Sequence, residues 1–207
     1  MNIRTWIGMA VAALATGSAA AGSLTTLFAS NNRGSNGGMV YFTVTVLNSN
    51  GIRITGFDIN NTAGPSDTIA MDVYTRVGGH SGFELNQGAW TLTSSGSGNG
   101  AGVNNPAFIN VTDFVLGPGT YGMALRALHN GTATSGHEYT NGTGGNQNFG
   151  NADLTIALGS ATNAAFGPSV FQPRVWNGTI YYEEVPAPGA LALLGLAGLT
   201  ARRRRRG

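Results

Sequence analysis

The chain has 207 residues, 33 of them Gly, with no Cys and no Lys, so all eleven basic side chains are Arg. That composition supports one modest domain and excludes both a disulfide-stapled scaffold and a zinc site built on thiolates. The formal charge of +2 is unevenly placed: within residues 22–185, five Arg (Arg33, Arg53, Arg76, Arg126 and Arg174) stand against all nine acids, a net of −4, which excludes a basic nucleic-acid-binding face because phosphate affinity needs clustered cations.

In chain order, Met1 and Arg4 make a cationic start, residues 6–15 an apolar run (WIGMAVAALA), and residues 16–22 a small-residue stretch (TGSAAAG). This is the layout of a cleaved secretory signal over residues 1–21, a signal-peptidase substrate cut after Ala21. About 164 residues follow before the C-terminal segment, enough for one domain that buries roughly 68–70% of its unfolded surface.

The body reads as strands divided by turn signals. In residues 39–47, Val40, Phe42, Val44 and Val46 fall on one face and Tyr41, Thr43 and Thr45 on the other, the period of two of a half-buried strand. The same reading covers residues 52–59, 68–77, 90–93, 107–116, 120–128, 153–158 and 170–176. Asn177-Gly178 separates RVW from TIYY and predicts a tight hairpin, since both residue types tolerate the positive φ of a type I′ turn. Residues 94–102 (SSGSGNGAG) and 140–151 (TNGTGGNQNFGN) are expected to be disordered loops. With no helical periodicity outside the two ends, the expected fold is all-β, an antiparallel β-sandwich of jelly-roll or Ig-like outline over residues 22–184, flanked by a signal helix and a C-terminal transmembrane helix.

The last 23 residues, 185–207, have three parts: Val185-Pro186-Ala187-Pro188, an uncharged apolar segment (GALALLGLAGLTA), and Arg202, Arg203, Arg204, Arg205 and Arg206. Residues 185–201 as a helix are roughly 25 Å long against a bilayer core of roughly 30 Å. Five Arg directly after it read as a stop-transfer cluster held on the cytoplasmic side, which puts the body across the membrane from them. The two prolines uncouple the domain from the tail.

This tripartite tail resembles the PEP-CTERM sorting signal of exported proteins from exopolysaccharide-producing Gram-negative bacteria. The resemblance implies recognition of the box by an exosortase-like transpeptidase. Val185, Pro186 and Pro188 match the box, while Ala187 stands where the family usually has Glu. Residues 72–98 and 174–182 also resemble segments of PEP-CTERM ectodomains, which implies a β-rich exported domain and no particular activity.

The chemistry-bearing residues form no recognisable motif. His80, His129 and His137 sit in no zinc-binding frame, and Ser81 after His80 lacks the second Gly of a nucleophile elbow. His129 with His137 and Glu138 could ligate a divalent metal, but loop histidines are far commoner. The expectation is therefore no enzyme, no cofactor and no metal. Trp90, Trp176 and Tyr182, with Tyr139 and Tyr181, are candidates for stacking sugar rings, although Trp and Tyr more often fill cores. The function expected is that of an exported cell-surface or matrix protein, structural or adhesive. It would be anchored in the inner membrane by the C-terminal segment before processing and displayed at the surface afterwards. The alternative is a carbohydrate-binding module of the exopolysaccharide layer.

Overall fold

In a computed structural model, which describes residues 20–131 and 135–187, period-two patterning yields thirteen strands. They are β1 (Ala21–Thr25), β2 (Asn32–Arg33), β3 (Met39–Val46), β4 (Ile52–Ile59), β5 (Thr68–Val77), β6 (Thr91–Asn99), β7 (Ala107–Leu116), β8 (Gly119–His129), β9 (Glu138–Asn141), β10 (Asn148–Gly150), β11 (Leu154–Thr162), β12 (Arg174–Trp176) and β13 (Gly178–Glu184). The only helical element among the described residues is a 3₁₀ turn, Gln87–Ala89. The predicted signal peptide up to residue 19, Pro188 of the predicted sorting box, the predicted transmembrane helix and Arg202 to Arg206 lie outside the described residues.

The fold is all-β, and every strand pairing is antiparallel. Ten strands form one sheet in the order β1-β13-β4-β7-β6-β5-β8-β3-β11-β10, and three form a second, β12-β9-β2. The large sheet curls until its two edges almost meet. Asn151, just after β10, donates from Nδ2 to the Ser23 carbonyl of β1 at 3.2 Å and to Tyr182 Oη of β13 at 2.8 Å. Tyr182 Oη in turn donates to Asp153 Oδ2 at 2.9 Å. A nearly closed, barrel-like sheet results, with side chains rather than a backbone ladder across the seam; this covers the edges that would otherwise template pairing with another chain.

The predicted inward face of β3 supplies Val40, Phe42, Val44 and Val46 to the core, which also takes Ile54, Phe57, Met71, Ile109, Leu125 and Ile180. Each fully buried large apolar side chain contributes about 1.5–3 kcal/mol. The small sheet lends Tyr139, Val175 and Trp176 to this same core. On the outer face of β3, Tyr41 and Met39 are also buried, under a second cluster with Trp90, Ala124 and Phe166.

Three sequence expectations are corrected. Residues 94–99 are strand, not loop, because β6 runs on through Asn99. Their glycines are required by close approach: a Cβ on Gly96 or Gly98 would collide with the Asn110 or Phe108 carbonyl of the paired β7. Nor does Asn177-Gly178 close a hairpin. β12 pairs with β9 in the small sheet, whereas β13 pairs with β1 and β4 in the large one. Asn177 is a corner at which the chain changes sheets, and neither it nor Gly178 adopts a positive φ. Residues 140–151, expected as a loop, contain the end of β9 and all of β10.

Candidate functional site

The three aromatics singled out for sugar stacking are interior. Trp176, 1% exposed, lies on Phe42 with ring centroids 4.9 Å apart and planes 8° from parallel, and meets Phe57 edge-on at 6.2 Å. Trp90 is buried against Tyr41 at 5.7 Å and donates from Nε1 to the Phe83 carbonyl at 2.8 Å. Tyr182 belongs to the barrel seam; burial, then the hydrogen bond to Asp153, pushes its hydroxyl up to about 12. Tyr139 is buried too. All four rings are buried, none more than 8% exposed, so none offers a face to solvent. Tyr181, the fifth, is only partly buried, on the outer side of β13.

The histidines are held as structural donors. His137 donates from Nε2 to the Leu125 carbonyl at 3.1 Å, and His129 from Nε2 to the Ser135 carbonyl at 3.1 Å. The other ring nitrogen of each is buried without a partner. Burial pushes His137 down to about 4, so it is neutral at pH 7. Among the described residues, no three of His, Asp and Glu converge as a metal site, so His129, His137 and Glu138 do not assemble into one.

His80 lies in the long connection between β5 and β6. Its own N–H donates to Thr43 Oγ1 at 3.2 Å, and its Nδ1 lies 2.8 Å from the same oxygen. Thr43 Oγ1 thus holds both the backbone and the ring of His80. The Nε2 edge sits over Gly159, where any Cβ would collide with it. Gly159 is the unpaired residue at the bulge between Leu158 and Ser160 in the β11–β3 ladder. Four residues further along the connection, Glu84 accepts from Ser160 Oγ at 3.1 Å. Ser160 is 1% exposed and Glu84 5%. Burial lowers the pKa of His80. The hydroxyl of Ser160 thus faces a carboxylate and His80 faces Thr43, so no serine–histidine pair forms here. These contacts, with Trp90 Nε1 on Phe83 and the Arg76 guanidinium 3.6 Å over the Phe83 ring, clamp the connection onto the barrel wall.

Of the predicted sorting box, Val185 donates its N–H to the Gly51 carbonyl at 3.2 Å, the last backbone bond of the barrel before Pro186 and Ala187. The Glu184 N–H donates to the Ala20 carbonyl at 3.0 Å. Chain entry and chain exit therefore share one pole.

Sequence reasoning passed over Phe108, on β7. It is 50% exposed and meets Tyr181 edge-on at 5.6 Å and 71°. The alternation in AFINVTDFVL carried the signal, since it puts Phe108 on the same side as Asn110, an apolar ring on a polar face. No protein-family model matches the chain, and a search of curated proteins returns no match.

Proposed function

We propose that this is an exported protein of the cell surface or extracellular matrix, structural or adhesive in role, whose β domain is delivered by a signal peptide and retained or sorted through its C-terminal tail. The supporting observation is the shared pole. With β1 and β13 paired antiparallel, Ser23 opposite Tyr181 and Ala21 opposite Glu183, the leader expected over residues 1–21 and the tail from residue 185 join the β domain on neighbouring strands at one end. The two ends carry the partners: signal peptidase at the N-terminal leader, an exosortase-like transpeptidase at residues 185–188, and the membrane beyond. The nearly closed antiparallel sheet is consistent with the expected β-sandwich, jelly-roll or Ig-like. Fractionation with mass spectrometry of both mature termini tests the reading. A leader removed near Ala21 and protein in the envelope or medium are expected, and unprocessed protein confined to the cytosol overturns it. The carbohydrate-binding alternative draws support from Phe108 and Tyr181.

A further inference from the structure

We propose that the outer face of β13, β4 and β7 is a binding site for a neutral polysaccharide, with Phe108 and Tyr181 as its stacking rings and Gly56 as the gap that admits them. Ile180 and Tyr182 on β13, and Ala107 and Ile109 on β7, point into the core, so strand alternation turns Tyr181 and Phe108 outward. Gly56 of β4 pairs with Tyr181 on one side and Asn110 on the other. A Cβ there would come within 2.7 Å of the Phe108 ring, so Phe108 lies across the glycine toward Tyr181. Tyr181 Oη donates to Asp58 Oδ2 at 2.7 Å, and Asp58 is itself only 6% exposed. That bond fixes the tyrosine ring before any ligand arrives, which reduces the ordering cost of binding.

The surroundings select the ligand. Ladder register places Ser23 beside Tyr181, and Ser97 beyond Asn110; all three small polar residues are exposed. Two rings are thus framed by hydroxyls and an amide in a row across β1, β13, β4, β7 and β6, roughly 19 Å at the usual strand spacing. A pyranose has an apolar C–H face for a ring and a rim of hydroxyls for short polar side chains, and a row of this length suits several linked sugars. Charge excludes the anionic polymers: the body carries −4, an acid sits beside the ring, and the neighbouring cation Arg53 is in register with Glu183. A protein partner fits poorly, because two rings offer far less apolar area than the roughly 800 Å² per side of a stable interface. This deepens the adhesive reading, and depends on export only for where the glycan is met.

The test is affinity electrophoresis of the full-length protein in mild detergent, through gels containing dextran, mannan or a soluble β-1,4-glucan, with polygalacturonate as the anionic counterpart. Retardation by at least one neutral polymer and none by polygalacturonate is expected. Phe108→Leu, which keeps an apolar cover over Gly56, is expected to weaken that binding about tenfold, the loss of one aromatic anchor, with its melting temperature unchanged. Asn110→Ala, at an exposed position, is expected to weaken it several-fold and serves if Phe108→Leu fails to fold. Absence of binding to all three neutral polymers, preference for polygalacturonate, or undiminished binding by the folded variants overturns the proposal. Protein that stays cytosolic yet binds overturns the exported reading alone; exported protein that binds none overturns this proposal alone.

Discussion

Replacing Trp176 by Ala should destabilise the domain, not merely remove a sugar-stacking ring. The indole is 1% exposed, stacks on Phe42 at 4.9 Å and meets Phe57 at 6.2 Å. It also occupies the space over Gly178, where a Cβ would collide with it. Removing a ring from such a site costs about 3–5 kcal/mol, transfer and cavity together. A domain of this size loses roughly 2–4 °C per kcal/mol, so the midpoint should fall by about 6–20 °C. Trp176→Phe separates packing from polarity. It keeps a ring against Phe42 and removes an Nε1–H that is buried without a partner, a burden of about 1–3 kcal/mol, so its net cost should stay below about 2 kcal/mol. Thermal melts followed by circular dichroism, with urea titrations at 25 °C, measure both. A Trp176→Ala midpoint within about 2 °C of the parent, or Trp176→Phe as damaging as Trp176→Ala, would refute the reasoning. Any loss of glycan binding in Trp176→Ala is expected to follow unfolding, so it cannot serve as a binding probe.

The buried His137 makes stability pH-dependent. Its folded value of about 4 lies below the ordinary 6.5, so the unfolded chain binds more protons between those values; the stabilisation is complete above about pH 6.5 and disappears as pH falls through about 4, a loss of about 3 kcal/mol. His80, also lowered by burial, acts in the same direction, and urea midpoints at pH 7 and pH 4 should show a slope that His137→Gln reduces. Tyr182→Phe removes the hydroxyl that joins Asn151 to Asp153; a loss of about 1–2 kcal/mol and faster amide exchange in β1 are expected, and unaltered β1 exchange would count against the seam. Trp90→Ala uncovers Tyr41 and removes the bond to Phe83, so limited proteolysis should nick the connection near the exposed Leu85 well before the barrel; equal resistance in parent and variant would show that other contacts hold it.

Legibility followed the range of the forces involved. Residues 52–59, 68–77 and 107–116 are strands to the residue, because alternation is local and each of these segments has one face in the core. β9 (EYTN) and β10 (NFG) escaped notice because they are short and polar, and exist only where β12 and β11 supply partners. SSGSGN reads as a loop by composition, yet the glycines serve the close approach of β7. Trp90, Trp176 and Tyr182 carry the residue types of a sugar site, but residue type does not specify which face a ring turns toward the core. Phe108 had the opposite history, an ordinary residue made conspicuous by a glycine two strand-positions away in space and far away in sequence.

By itself, then, the sequence determined the all-β class, the inward face of β3 and the charge of −4 in the body, since these depend on composition and on neighbours two residues apart. Sheet order, the change of sheets at Asn177, the seam through Asn151, Tyr182 and Asp153, and the exposure of Phe108 beside Tyr181 were decided by tertiary structure. Each joins residues tens of positions apart, and which of the many compatible pairings wins depends on how the whole set of apolar faces can be buried at once.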